Sequence, residues 1–278
     1  MPELPEVESI VRGLAPTLPR RAIEAVEIHR PDVLRVPPDQ FRADLSGATI
    51  QDVTRRGKNI VIRMVDGRVL VVNLGMTGRL LLGLPGRPLP PANHVAVRFD
   101  LGSDHVLLFD DVRRFGALEA LSASAWASRE AALGREPLGP DLRADELHSL
   151  LGKSRSPIRS WLLDQRKLAG VGNIYAAEAL FRAGIHPHRP ANSTTSTESE
   201  ALLGGLREVL QAAIGEGGTT LRDYRKADGE PGKYGRLLRV YGRKGAPCYE
   251  CSDLIERTVL SNRSAFHCPT CQPVQDQG

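Results

Sequence analysis

The sequence predicts an α+β protein of more than one domain, with a sheet-rich N-terminal part, a helical middle and a short C-terminal hairpin stapled by a metal. Three observations carry this expectation. Short β-branched runs separated by Gly, Pro and Asp turns fill the stretch from Ala22 to Ala120. Beyond Pro140 the apolar residues fall at helical spacing, punctuated by caps and glycine stops. All four cysteines lie between Cys248 and Cys271.

The chain of 278 residues is too long for one small core and suits two domains, or two with a small appended module. A hydrophobic content of 41% with 25% charged residues is that of a folded soluble protein, and no apolar run has the length a bilayer requires. No membrane partner is expected. Met1-Pro2-Glu3-Leu4-Pro5-Glu6 has neither the basic start nor the apolar stretch of a secretion signal, so the expected location is the cytoplasm. The net charge of +4 is a weak pointer to an acidic partner. Its distribution says more, because Gly218 to Pro247 carries eight Lys/Arg against three Asp/Glu in a Gly-rich stretch suited to lying against phosphates.

Val7, Ile10, Val11 and Leu14 predict a helix over residues 5–14, which anchors the N-terminus. Ile60-Val61-Ile62, Val69-Leu70-Val71-Val72 and His94-Val95-Ala96-Val97 read as strands of a sandwich. Leu133-Gly134-Arg135-Glu136-Pro137-Leu138-Gly139-Pro140 reads as a boundary loop. Ser156-Pro157 is an N-cap with proline at the first helical position, ahead of Ile158 to Gln165. Gly170-Val171-Gly172 forces a turn into Asn173, read as the cap of a helix that carries Ile174, Ala177, Leu180 and Phe181 and stops at Gly184. Leu202, Leu203, Leu206, Val209, Leu210 and Ile214 mark a longer helix.

The cysteines read Cys248-Tyr-Glu-Cys251, sixteen residues, then Cys268-Pro-Thr-Cys271, the spacing of a tetrahedral zinc site with two knuckles. Thr258-Val259-Leu260 and Ser264-Ala265-Phe266 around Asn262 read as two short strands and their turn. Four thiolates close the coordination shell, so one zinc per chain is expected to be structural. Disulfides are the alternative, disfavoured in a reducing cytoplasm.

Met1-Pro-Glu-Leu-Pro-Glu-Val-Glu8, Arg56-Gly-Lys58, Leu74-Gly-Met-Thr-Gly78, Asp111-Val-Arg-Arg-Phe-Gly116, Gly170-Val-Gly-Asn-Ile-Tyr175 and Asn262-Arg-Ser-Ala-Phe-His-Cys-Pro-Thr-Cys271 together resemble the formamidopyrimidine-DNA glycosylases. The resemblance runs the full length. It implies an N-terminal β-sandwich over 1–133, a helix-two-turn-helix domain over 134–225, and the end of a lesion loop with a zinc finger over 226–278. It also implies a bacterial monomer that binds damaged double-stranded DNA between its domains, flips an oxidised base out, excises it and nicks the strand by β,δ-elimination.

By that resemblance Pro2, freed by removal of Met1, is the nucleophile. A secondary amine at a chain terminus is partly unprotonated near neutral pH, unlike a lysine, and its attack on the sugar carbon yields an iminium that acidifies the neighbouring hydrogens. Glu3 would protonate the sugar ring oxygen, and Lys58 would donate a proton or clamp a phosphate. Arg263 would grip phosphates beside the lesion with a cationic fork and assist the second elimination. Asn173 would present its amide and helix N–H groups to a phosphate, and Arg155 and His94 would also contact DNA. Met76, Arg113 and Phe115 match the trio that fills the void, pairs with the orphaned base and wedges the stack. Taken without the resemblance, Pro2 and Glu3 suit a flexible terminus, Lys58 a solvated surface, and Met76 and Phe115 a core.

Several positions depart from the family pattern. Pro91-Ala92-Asn93-His94 replaces the usual Lys-His-Asp-His, Asn73 stands where His is common, and Arg155 and Arg159 stand where Lys is frequent, which preserves charge for phosphate binding. Gly217 to Tyr224 and Ala227 to Gly232 resemble the loop that closes over an extruded purine, so 8-oxoguanine and formamidopyrimidines are the expected substrates. An endonuclease VIII-like preference for oxidised pyrimidines is the alternative, and a non-catalytic zinc-finger DNA-binding protein is the alternative of another class.

Overall fold

The computed structural model describes residues 2–274. The chain divides into two compact units, Met1–Ala132 with Ile214–Gly235, and Leu133–Ala213 with Arg236–Gly278.

The first unit opens with α1 (Leu4–Leu14), which buries Val7, Ile10, Val11 and Leu14 as their spacing requires. Eight strands follow: β1 (Ala25–Ile28), β2 (Ile50–Arg56), β3 (Asn59–Met64), β4 (Val69–Asn73), β5 (Gly78–Gly83), β6 (Val95–Asp100), β7 (Val106–Asp111) and β8 (Ala117–Leu121). They form two antiparallel sheets of order β1-β6-β7-β5 and β2-β3-β4-β8. One core joins them: Ile60, Ile62, Leu70 and Val72 from the second sheet meet Leu80, Val97, Phe99, Leu107 and Phe109 from the first.

Two helices, α2 (Pro38–Leu45) and α3 (Ala123–Ala131), complete this part. Val61, Val69 and Val71 point away from the main core and are covered by Trp126 of α3. Burial on both faces is why these strands read as continuous apolar runs and not as alternating ones. Tyr224 and Ala227, distant in sequence, join the main core, and the Leu82 N–H donates to the Ala227 carbonyl at 2.9 Å.

The second unit contains α4 (Ala144–Gly152), α5 (Ile158–Leu163), α6 (Asn173–Arg182), most of α7 (Ser196–Gly215) and the hairpin β9 (Glu256–Leu260) with β10 (Arg263–His267). Leu147, Ile158, Trp161, Ile174, Leu180, Leu206 and Leu210 are buried along the helices. Gly184, at φ 67°, ends α6 in the left-handed conformation that a β-carbon disfavours. The hairpin turn is Ser261-Asn262, both at positive φ, and Arg263 pairs with Leu260 across it. Two left-handed turn residues match the strand twist, which favours Asn at such a position.

Two helix starts differ by one residue from the sequence reading. Pro157 is itself the N-cap of α5, and Gly172 caps α6, so Asn173 is the first helical residue and not the cap. Its side chain is thereby free for the contacts described below.

Candidate functional site

In the first unit, the extended chain ends at Glu3, which caps α1. The Glu3 side chain accepts the Glu6 backbone N–H, and Glu6 Oε2 accepts the Glu3 N–H at 2.8 Å, the reciprocal pairing of a capping box. Glu6 Oε1 accepts the Thr219 N–H at 2.7 Å, and the Tyr224 hydroxyl donates to the Glu6 and Gly217 carbonyls at 3.2 and 3.0 Å. Pro2, Glu3 and Glu6 are buried. The first residues are therefore fixed by their own helix and by the 217–224 segment, and do not form the flexible terminus they suggest in isolation. A β-carbon at Gly218, where φ is 86°, would stand 2.9 Å from Glu6 Oε1, so the close approach needs glycine. Burial, reinforced by Glu6, pushes the Tyr224 hydroxyl above its usual range and keeps it a donor. Removal of Met1 concerns a residue outside those described.

Gly57 and Lys58 are the two turn residues of the β2–β3 hairpin, with Arg56 paired to Asn59 and Gly57 at φ 57°. Lys58 is half-buried at this turn, unlike a solvated surface lysine. The adjoining Asn59 donates to the Arg56 carbonyl at 3.2 Å and accepts from Asn73 Nδ2 at 3.0 Å. Asn73 Oδ1 then accepts the Gly75 N–H at 3.0 Å. The Lys58 turn is thus hydrogen-bonded, through two asparagines, to the loop that carries Met76.

Met76 meets Arg113 and Phe115 at the tips of two loops. Arg113 Nη1 lies 3.4 Å from Met76 Sδ, and the Arg113 guanidinium lies 4.5 Å from the centre of the Phe115 ring. Met76 is 42% and Phe115 56% exposed, which contradicts the core reading of these two residues taken alone. Beneath them the loops touch backbone to backbone: a β-carbon at Gly75 would stand 2.5 Å from the Phe115 carbonyl carbon. On β7, Asp110 and Asp111 are both buried. Asp110 accepts the His94 N–H at 2.6 Å, so the exposed His94 is fixed through its backbone. Arg79, 3.9 Å from Asp110, donates to the Asp223 carbonyl at 3.0 Å.

In the second unit, Arg159 is fully buried. Its Nε and Nη2 donate to Asn173 Oδ1 at 3.2 and 2.5 Å, its Nη1 donates to the Leu260 carbonyl at 3.2 Å, and its Nη2 donates also to the Ser264 carbonyl at 2.9 Å. Asn173 Nδ2 adds a bond to the Ser264 carbonyl at 3.0 Å. Arg159 therefore clamps both sides of the turn that presents the exposed Arg263, and does not face solvent as the phosphate-binding reading supposed. Burial, then the Arg263 charge, pulls its pKa below the usual guanidinium value. Arg155 is exposed.

Cys248, Cys251, Cys268 and Cys271 hold their sulfurs within 4.8 Å of one another, and all four are free thiols. The Glu250 N–H donates to Cys248 Sγ and the Cys271 N–H to Cys268 Sγ, each at 3.4 Å, which leaves the sulfurs converging on one point. The donor set fits a tetrahedral metal ion.

Comparison with known proteins places this geometry. The formamidopyrimidine-DNA glycosylase N-terminal domain matches residues 1–118 and the H2TH domain of the same enzymes matches residues 133–225. The formamidopyrimidine-DNA glycosylase of Cereibacter sphaeroides is 42% identical over 98% of this chain and all of its own length. The chain belongs to the formamidopyrimidine-DNA glycosylase family. Among solved structures, the Lactococcus lactis glycosylase in complex with abasic-site DNA superposes with a TM-score of 0.90 at 32% identity, covering 98% of this chain and 100% of that one. The Thermus thermophilus protein gives 0.87 at 40% identity, covering 98% of each chain.

Set beside the family motifs, the residues to which the sequence reading gave no role are buried acids, two of which, Glu6 and Asp111, stand inside motifs it quoted. Asp110, Asp111 and Glu6 are three of them. Glu178 is a fourth: it is buried in α6 and accepts the N–H groups of Arg239, Val240 and Tyr241 at 2.8, 3.0 and 2.9 Å. Burial raises its pKa against those three bonds. A single acid inside the apolar run Tyr175-Ala-Ala-Glu178-Ala-Leu was the available signal. His186, pulled down to about 4 by burial, and His188 and His267, lowered for the same reason, are neutral near pH 7. They are packing groups, with His188 Nε2 bonded to Thr258 Oγ1 at 2.7 Å.

Proposed function

We propose that this chain is a bifunctional DNA glycosylase and abasic-site lyase of base-excision repair that removes oxidised purines from duplex DNA. The observation that carries the reading is the fixed N-terminus: Pro2-Glu3 is buried at the head of a capped helix in a chain that aligns end to end with glycosylases of the family. Lactococcus lactis relatives form complexes with DNA containing a formamidopyrimidine base or an abasic site, which supports damaged DNA as the partner; that the chain acts as a monomer is part of the same proposal. The homologues are bacterial, and a cytoplasmic location beside the nucleoid follows as a proposal.

The chemistry runs through Pro2. With Met1 removed, its secondary amine attacks the sugar C1′, and the glycosidic electron pair leaves with the base, which takes up a proton. Glu3 protonates the ring oxygen as the sugar opens, giving an iminium between Pro2 and C1′. Loss of the C2′ proton expels the 3′ phosphate, and a second elimination expels the 5′ phosphate. Lys58 supplies or holds a proton during these steps, and Arg263 neutralises the departing phosphate. Asn173, Arg155 and His94 hold the flanking backbone, while Met76, Arg113 and Phe115 occupy the void left by the extruded nucleotide. Cys248, Cys251, Cys268 and Cys271 would hold one zinc ion, which supplies no reactive chemistry and fixes the hairpin that carries Arg263.

The deciding experiment is a lesion panel: strand nicking compared across duplexes that carry 8-oxoguanine, a formamidopyrimidine or an oxidised pyrimidine. Preferential nicking at the purines is expected. Preference for pyrimidines would move the protein to the endonuclease VIII branch, and binding without nicking would make it a DNA-binding protein only.

A further inference from the structure

We propose that Asp111 is a positioning residue for base extrusion, the group that sets the Met76, Arg113 and Phe115 cluster in its working geometry. This rests on the functional reading above, in which those three side chains enter the duplex.

Asp111 is the last residue of β7 and is 2% exposed. Both of its oxygens are engaged. Oδ1 accepts the Thr77 hydroxyl at 2.5 Å and the Arg113 N–H at 3.2 Å, and Oδ2 accepts the Gly116 N–H at 2.8 Å. The Thr77 hydroxyl oxygen also accepts the Arg113 N–H, at 3.1 Å. One carboxylate therefore ties the residue after Met76 to residues on either side of the Arg113–Phe115 loop. Hydrogen bonds to an ionised acceptor are stronger than neutral ones, and these are shielded from water.

The side chains of the cluster are exposed, so core packing does not fix them; their direction comes from the backbone that carries them. Arg114, between Arg113 and Phe115, sits at φ 57°, a left-handed conformation unfavourable for a side chain of its size. The Asp111 bonds to residues 113 and 116 bracket that residue, and the reversal it makes brings Arg113 over the Phe115 ring. Gly116 has no room for a side chain, since a β-carbon would stand 2.6 Å from the Phe109 ring and 3.0 Å from Asp111 Oδ2. An asparagine at position 111 has nearly the shape of the aspartate but exchanges one acceptor oxygen for a donor. Either the Gly116 N–H then faces an N–H group, or the Arg113 N–H does while the Thr77 hydroxyl turns from donor to acceptor, so the bonds that set the Arg113–Phe115 loop are weakened in both orientations.

The test compares single-turnover excision of 8-oxoguanine paired with cytosine against cleavage at a pre-formed abasic site, for the full chain and for Asp111→Asn, Thr77→Val and Thr77→Ser. A fluorescent base beside the lesion reports insertion into the stack. Asp111→Asn is expected to lower excision at the paired lesion about tenfold or more, in line with the cost of misplacing a working group by a fraction of an ångström, and to blunt the fluorescence change. Its loss at the abasic site is expected to be several-fold smaller. Thr77→Val should show the same split in weaker form and Thr77→Ser should restore it, which decides the matter should Asp111→Asn melt too low to assay. Equal losses on the two substrates, or unchanged excision by Asp111→Asn, would overturn the role of Asp111. Inactivity of the unsubstituted protein on both substrates would instead overturn the functional reading on which it rests.

Discussion

Arg159 and Asn173 share one hydrogen-bonded unit: two guanidinium nitrogens converge on the Asn173 amide oxygen at 3.2 and 2.5 Å, and both side chains also bond the Ser264 carbonyl. The turn bearing Arg263 is therefore held by one residue of α5 and the first residue of α6. Arg159→Ala should weaken DNA binding on the order of tenfold, by taking from the Leu260 carbonyl its side-chain donor and leaving the Ser264 carbonyl to Asn173 alone, and Arg159→Lys should recover only part, because an ammonium cannot reproduce the planar fork. Salt titration of binding separates the roles. Removing Arg263 should lower the slope by roughly one unit, the effect of one lost phosphate contact, whereas removing the buried Arg159 should lower affinity with the slope nearly kept. Equal slope changes would make Arg159 a phosphate ligand.

Borohydride should trap a covalent adduct between Pro2 and DNA carrying a damaged base or an abasic site, because an iminium is reducible. The burial of Pro2 at the capped end of α1 makes the site intolerant of extension, so added N-terminal residues and Pro2→Gly should both diminish the adduct, the extension more severely. Mass spectrometry of the trapped peptide identifies the attachment point. An adduct of undiminished yield on an N-terminally extended protein would remove Pro2 from its role.

Metal analysis should find one zinc per chain. The four sulfurs converge within 4.8 Å, and Cys248 and Cys268 lie in a small core with Phe181 and Ile255, so loss of one ligand disturbs packing as well as coordination. Cys268→Ser should release most of the metal and weaken DNA binding while the first unit keeps its β-sheet signal in circular dichroism. Iron, or protein free of metal after purification without chelator, would contradict the assignment.

Glu198 closes a capping box with Thr195 and pairs with Arg189 at 2.5 and 2.7 Å. The Arg189 hydrogen bonds, helped by the Thr195 N–H against the cost of burial, bring its pKa from 4.5 down to about 2. A folded-state pKa below the unfolded value means that the stabilisation is complete above about pH 4.5 and is lost as the pH falls toward 2. Glu198→Gln should therefore lower the melting temperature near pH 7 by a few degrees, for roughly 1–2 kcal/mol, and the gap from the unsubstituted protein should shrink between pH 4.5 and 2. A gap independent of pH would show that the pair contributes through shape alone.

What the sequence made legible were features with local causes. The α1 stripe of Val7, Ile10, Val11 and Leu14, the paired knuckles at Cys248 and Cys268, and the β9–β10 hairpin around Asn262 all follow from spacing or turn chemistry within a few residues. What stayed hidden depended on distant partners. Nothing in the sequence near Glu6 announces that its carboxylate receives Thr219, more than two hundred residues away, nor that Ile214–Gly235 returns to the first unit. Arg159 reads as a surface cation because arginine usually is one; the Asn173 amide oxygen and the carbonyls of Leu260 and Ser264, all distant in sequence, make its burial tolerable. Met76 and Phe115 mislead in the opposite sense, since apolar residues beside strands are ordinarily inside, and here the tight backbone contact of Gly75 with Phe115 and Gly116 turns them out.

That exposure leads to the sharpest separation of steps. Extruding a paired nucleotide costs a few kcal/mol of stacking and pairing, and side chains that fill the void recover part of that cost. Met76 and Phe115 are the exposed apolar groups of the cluster, and Arg113 bridges them, 3.4 Å from the Met76 sulfur and stacked on the Phe115 ring. Met76→Ala should thus loosen the seat of Arg113 as well as remove the proposed filler, and Arg113→Ala should lose the group proposed to face the orphaned base. Both should depress excision of a paired oxidised purine by about tenfold or more. At a pre-formed abasic site no base remains to be unpaired, so the losses there should be several-fold smaller, while substitution of Pro2 should remove both activities, since in the proposed mechanism each passes through the iminium. Because Met76 and Arg113 touch, the double variant should lose less than the product of the single losses. Rates from single-turnover assays on the two duplexes decide the matter, and equal losses on both substrates would return Met76 to a structural role.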